Sequence, residues 1–260
     1  MAAGVEVVAP NQALQLTRPA CRFLVVRSSL VQAGPVSWVV RQREDGMTHR
    51  DIAVSIAPIL NHLLTVPPFD TPDGLDFGWF CREHALATKL IYNKLGVDCD
   101  IVRGQVAAYV AGEKRLATGA GADHDWCVTG ELCPCDLSMT FRHLPGYPNL
   151  DTPVLGCQNH GSFAIVYCED ASEFPLALQS DECAVYFAPV ASFRFTLQQC
   201  LSNPRPLRMS SRPHGIALAC AAYLLDVMNT SNHLFQGDTP QDVALARVLA
   251  AFPNPKDILA

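Results

Sequence analysis

Three residues of this 260-residue chain, Cys81, His124 and Asp136, have the types and spacing that suit nucleophilic chemistry. A thiol attacks carbonyls as its thiolate, and the free N–H groups and positive dipole end of a helix N-terminus favour that form. Cys81 stands in the first turn of the helix expected from about Phe80 to Leu95. A histidine within hydrogen-bond reach holds or shuttles the proton, and a carboxylate orients its ring. His124 and Asp136 fill those roles if they share a sheet face. Alternation puts His124, Trp126 and Val128 on one face of a strand, and Leu132, Pro134 and Asp136 on one face of the next. A three-residue loop, Thr129-Gly130-Glu131, sets His124 opposite Asp136. A two-residue loop at Gly130-Glu131 turns Asp136 to the wrong face unless a bulge intervenes.

Other side chains compete for these roles. His84 lies one turn beyond Cys81 on the same helix face, but two residues three apart on one helix do not easily clasp a substrate between them. Cys127, Cys133 and Cys135 with His124 or His143 suggest zinc. The Cys133-x-Cys135 spacing is not that of a zinc knuckle and no second such pair exists, so neither metal nor cofactor is expected. On the hairpin, Cys133 and Cys135 point away from Asp136 into the core. Trp79 and Trp126 are the expected substrate-binding residues, Trp126 being equally suited to fill the core. Glu83, Asp123 and Asp125 read as solvated charge, and His160, His214 and His233 as structural or exposed.

The elements that must hold the three residues are legible in the periodicity. A helix is expected from Thr48, its cap, to Leu64, followed by a Pro-, Asp- and Gly-rich exposed connector over 65–78. The second helix carries Phe80, His84, Ala87, Ile91 and Leu95 on its apolar face and ends at Gly96. Strands follow over 98–110, with a turn at Gly112, and over 124–128, 132–137, 163–168, 184–187 and 193–197. Helices return over Gly215–Met228, apolar on almost every side, and Pro240–Phe252, capped by Thr239. Helices, then strands, then helices, without βα alternation, predict an α+β fold. The expected divisions are an N-terminal arm over 1–46, partly disordered, a core over 47–200 and a helical C-terminal segment over 201–260 packed on it. Phe23–Val26 and Val36–Val40 are short apolar stretches within the arm, each a strand or an extended segment.

Composition narrows the partners. At 49% hydrophobic and 17% charged residues the chain can bury a sizeable core. A net charge of −6 with no Lys/Arg cluster gives no footprint for nucleic acid or anionic lipid. The longest apolar run, Ile216 to Leu225, is too short to span a bilayer, so no membrane association is expected. The first twenty residues lack the pattern of a secretory signal. Eleven cysteines without a repeating spacing predict buried, reduced thiols and a cytoplasmic setting. The stretch "APNQALQLTRPA" at 9–20 resembles the translated ends of mobile integron cassettes, which makes the source bacterial and Met47 the expected natural start.

Taken together, "FCREHALATKLIYNKLGVDCDIVRGQV" and "DHDWCVTGELCPCDLS" resemble the core of the transglutaminase-like superfamily over 78–140, about a quarter of the chain. The resemblance implies a papain-like fold, with a Cys-headed helix packed on an antiparallel sheet that presents His and Asp. It implies Cys81 as nucleophile, His124 as general base and acid, and Asp136 as the ring-orienting carboxylate. It further implies hydrolysis of a peptide or small amide through a thioester, without cofactor. The family's usual Asp-Pro-Thr reads Asp136-Leu137-Ser138 here, and Arg82 stands where a tryptophan often follows the cysteine. Arylamine N-acetyltransferases share the triad order, and "RGQV" at 103–106 is similar to theirs. No acidic cluster resembles the calcium sites of animal transglutaminases. The alternative reading is a non-catalytic binding module on the same fold, with 141–260 as a lid or partner-binding lobe.

Overall fold

In the computed structural model the residues described are 22–24, 48–64, 76–77, 80–117, 124–129, 133–140, 153–155, 163–180, 182–193, 195–202, 209–231, 233–235 and 238–260. The first helix, α1 (His49–Leu64), opens on a reciprocal cap: the Asp51 N–H donates to Thr48 Oγ1 at 3.2 Å, and the Thr48 N–H donates to Asp51 Oδ2 at 3.2 Å. The second, α2 (Cys81–Lys94), begins after Phe80 with no side-chain cap and closes at Gly96, whose φ of +78° is the left-handed conformation glycine adopts without strain. Both lie where the apolar spacing places them.

The strands are β1 (Arg22–Leu24), β2 (Asp76–Phe77), β3 (Cys99–Val110), β4 (Glu113–Ala117), β5 (His124–Thr129), β6 (Cys133–Thr140), β7 (Pro153–Leu155), β8 (Phe163–Tyr167) and β9 (Cys183–Phe193). They form one sheet in the order β1-β8-β9-β3-β5-β6-β2, with β4 on β3 and β7 on β6. Then come α3 (Leu197–Ser202), α4 (Ser211–Thr230), α5 (Gln241–Ala251) and α6 (Lys256–Leu259). The fold is therefore mixed α+β.

An all-antiparallel sheet is not what forms. β8 and β9 run parallel, Phe163 beside Cys183 and Tyr167 beside Phe187, because residues 168–182 carry the chain back across before β9 begins. Pro189 splits the sequence pattern of β9 into two apparent strands, yet the strand is continuous. Arg103 pairs with Ala191 and Gly104 with Pro189, so Val190 is the extra residue of a bulge that absorbs the proline. Leu197 opens α3 instead of ending a strand. The connector before Cys81 also contributes β2, which pairs Asp76 with Thr140 and Phe77 with Met139. The last long helix is preceded by Pro240 as its cap residue, not Thr239.

Each face of the sheet carries its own core. Cys99, Ile101, Cys127, Cys135 and Leu137 face α1, α2 and α4 in the larger one. Val102, Val106, Trp126, Val128, Ile165 and Phe187 fill the other. The predicted single apolar face of α2 understates its burial: every residue from Glu83 to Tyr92 is buried, including Glu83, His84, Thr88 and Lys89. The reason is α4, whose Ala217–Leu225 run covers the side of α2 that the sheet leaves open. The buried Lys89 ammonium donates to the Cys99 carbonyl.

Candidate active site

Sheet register brings His124 and Asp136 together. β5 and β6 pair Cys127 with Cys135, Val128 with Pro134 and Thr129 with Cys133. Residues 130–132 therefore separate the strands, one place later than the predicted turn, and the register moves by two. A shift of two preserves side-chain parity, so Asp136 stays on the His124 face as a diagonal neighbour instead of the directly opposite residue. Its Oδ2 lies 2.5 Å from His124 Nε2, and both side chains are at least 95% buried.

Charge and hydrogen bonding reinforce the pair. Burial pulls the His124 pKa down, but the Asp136 charge and hydrogen bond, together with a hydrogen bond to the Cys81 thiol, outweigh it and raise it well above the usual imidazole value. With Nε2 on the carboxylate, Nδ1 is the ring nitrogen left for that thiol. For Asp136, burial opposes ionisation, and the His124 charge and hydrogen bond with two hydrogen bonds from Ser138 reverse the balance and lower the pKa. The Ser138 hydroxyl and N–H both donate to Asp136 Oδ1, at 2.7 and 3.0 Å. Ser138, seen in the sequence only as a departure from a familiar pattern, thus holds the carboxylate on the side away from the imidazole.

Cys81 is partly exposed at the mouth of α2, whose first turn receives no side-chain cap. Helical geometry leaves the first N–H groups without intrahelical partners. The Glu83 carboxyl bonds its own N–H, and its pKa is raised chiefly by burial. His84 is not the partner of Cys81. Its Nδ1 donates to the Phe80 carbonyl at 2.8 Å, the Asn61 side-chain amide lies 3.0 Å from Nε2, and burial lowers its pKa to about 4, so near pH 7 the ring is neutral and Nε2 can only accept from that amide.

Asp125 differs most from its sequence reading. Far from solvated, it is buried and holds Arg103 through both oxygens, Nε to Oδ1 at 2.7 Å and Nη2 to Oδ2 at 2.8 Å, a forked pair between adjacent β3 and β5 positions. Arg82 Nε lies 3.5 Å from the same carboxylate. An arginine and an aspartate 22 residues apart on two strands give no local signal; the register that pairs 103 with 125 reveals them.

Trp126 is 1% exposed and sits behind the site, its ring 6.0 Å from that of His124 and 5.2 Å from Phe187, so it backs the histidine instead of lining an open wall. Cys135 points into the helix-side core and Cys127 donates to the Ala85 carbonyl at 3.2 Å. Among the described residues no three His, Cys, Asp or Glu side chains are arranged to hold a metal ion. Trp79, Asp123, His143, His160 and the Cys133 side chain lie outside the described residues. His214 is buried, with Nε2 2.7 Å from the Cys200 carbonyl, and His233 is exposed. No helix among the described residues is long and apolar enough to cross a membrane. No protein-family model, curated protein or solved structure matches the chain.

Proposed function

We propose that the protein is a transglutaminase-like, papain-folded cysteine enzyme of acyl transfer that hydrolyses a peptide or small amide. The observation that carries this reading is the buried His124–Asp136 pair, Nε2 2.5 Å from Oδ2, with the Cys81 thiol at the mouth of α2 as a further hydrogen-bond partner of the same imidazole. The raised His124 pKa supports an imidazolium that has a proton to give to a leaving group.

Cys81 Sγ attacks the carbonyl carbon and its electron pair forms the new C–S bond, while the carbonyl π pair moves onto oxygen. The Cys81 N–H, in an uncapped first turn, is the donor placed to meet that oxyanion. As the C–N bond breaks, His124 gives its proton to the departing amine. Water then attacks the thioester, His124 takes the proton from it, and the acid leaves as the C–S bond breaks. Asp136 does not touch the reacting atoms; it keeps Nε2 occupied and Nδ1 aimed at sulfur. The eight cysteines whose side chains are described are free thiols, which favours a reducing, cytoplasmic setting.

The test is labelling with an acyl-donor activity probe followed by peptide mass mapping. The expected adduct is on Cys81, absent in Cys81→Ala, retained in Cys220→Ala and slowed about 10²- to 10⁴-fold in His124→Gln. Labelling spread over several thiols, or unchanged in His124→Gln, would refute the reading.

A further inference from the structure

Arg82 and Asp125, the residues that follow the candidate nucleophile and the candidate base in the chain, meet between helix and sheet: Arg82 Nε lies 3.5 Å from Asp125 Oδ2. Alternation turns Asp125 and Cys127 to the helix-facing side of β5, and helical spacing puts Arg82 and Ala85 on one face of α2. The two rows lie on each other, since Cys127 Sγ also donates to the Ala85 carbonyl at 3.2 Å. Asp125 is a fixed post for this contact. Its side chain is fully buried, and Arg103 on the neighbouring strand grips it through both oxygens. The first turn of α2 has no side-chain cap, and His84 ties it to Asn61 of α1 rather than to the strand that carries His124. Arg82 ties it to that strand, one residue from Cys81 at one end and one residue from His124 at the other.

We infer that Arg82 is a positioning residue: its tie to Asp125 fixes the mouth of α2 on β5 and so holds the Cys81 thiol within reach of the His124 imidazole. This rests on the acyl-transfer reading and adds to it a residue that acts through the geometry of the other two. Alternation shows why a tie is needed. His124, the first residue of β5, is turned to the Trp126 face, while Cys81 heads a helix packed on the Cys127 face. The thiol and the imidazole, hydrogen-bonded to each other, thus approach from opposite sides of the sheet, and a slide of α2 along β5 of about 1 Å is enough to part them.

Alkylation by iodoacetamide tests this without requiring turnover, and an uncharged reagent is not steered by the residue replaced. Asp125 is not the residue to change, because its loss takes from the buried Arg103 guanidinium the carboxylate that grips it. Arg82→Met and, as a polar counterpart, Arg82→Gln leave that pair in place, and circular-dichroism melts identify which of them keeps the fold. The rate of Cys81 alkylation is measured by peptide mapping of the full chain at pH 7 for these variants, Arg82→Lys, His124→Gln and the combination of Arg82→Met or Arg82→Gln with His124→Gln. Breaking the tie is expected to slow alkylation about tenfold, and Arg82→Lys, whose ammonium reaches the same carboxylate, to stay within about threefold of the wild type. In the His124→Gln background the same change should slow it by no more than about twofold, because placing a thiol against an imidazole has no effect once the imidazole is gone. Equal slowing in both backgrounds would mean that Arg82 acts on Cys81 by its own charge, and overturns the proposal. So does a rate equal to the wild type once the tie is broken, or an Arg82→Lys rate as low as that of Arg82→Met or Arg82→Gln. If His124→Gln alone leaves Cys81 as reactive as in the wild type, the acyl-transfer reading itself fails and the proposal with it, whatever the Arg82 variants show.

Discussion

Ser138 and His84 show how single side chains set the pH range in which the site is intact. Asp136 is depressed below its ordinary 3.8, so its contribution to stability is complete above that pH and is lost as pH falls through the depressed value. His124 is raised above its ordinary 6.5, so its contribution is complete below 6.5 and is lost as pH rises through the raised value. Both are whole between these limits. Ser138→Ala removes the hydroxyl bond to Oδ1, lets the Asp136 pKa rise, and should move the acid limb of thermal stability to higher pH at a cost of about 1–3 kcal/mol. Circular-dichroism melts from pH 3 to 7 measure it, and an acid limb that stays in place counts against the assignment. His84 adds to the loss on the acid side. Its folded pKa of about 4 against 6.5 means the unfolded chain takes up a proton first, so stability is lost as pH falls from 6.5 toward 4, by about 3 kcal/mol in total. In His84→Gln that slope should flatten relative to wild type in denaturant titrations across the same range. That Cys81 heads a helix, and that His124 and Asp136 share a sheet face, were legible from periodicity and alternation. Ser138, Arg103 and the buried Asp125 were not, because each acquires its meaning from a partner that only the fold supplies.

Among the elements, β3 does most to position the site, since it pairs with β5 on one side and β9 on the other. Gly104 is its closest point of approach. It pairs with His124, and a Cβ there would lie 2.1 Å from the Ala188 carbonyl oxygen and 2.7 Å from the Trp126 ring, distances no side chain can occupy. Gly104→Ala must push apart β3 and β9 or displace the tryptophan behind His124. The expected outcome is a loss of about 1–3 kcal/mol or more, together with slower labelling of Cys81. Stability at or near the wild-type value in urea titration would show that the strands yield freely. α1 and α2 were legible because periodicity and helix ends agree, as Thr48 with Asp51 and Gly96 after Lys94 illustrate, whereas the short α3 and α6 were not. The parallel pairing of β8 and β9, and the continuity of β9 through Pro189, were hidden because strand direction and bulges leave no local pattern.

For the whole molecule, α4 changes what the C-terminal half is. It shares one apolar cluster with α1, α2 and the helix-facing side of the sheet. A segment that encloses the Cys81 helix on the side opposite the sheet is part of the core and not a lid laid over it. The continuous apolar character of Gly215–Met228 announced that burial, but not which element it would bury. At the other end of the chain, Arg22, Phe23 and Leu24 pair antiparallel with Tyr167, Val166 and Ile165. A variant shortened to start at Met47 lacks β1, and Ile165–Tyr167 loses its partner and becomes an edge among the described strands. Such an edge recruits other chains. The shortened protein is therefore expected to scatter light and elute in large assemblies at concentrations where the full chain stays dispersed, and equal behaviour of the two by light scattering would refute this. Residues that take no part in the chemistry would then decide whether the protein can be handled, or survive in a crowded cell, without self-association.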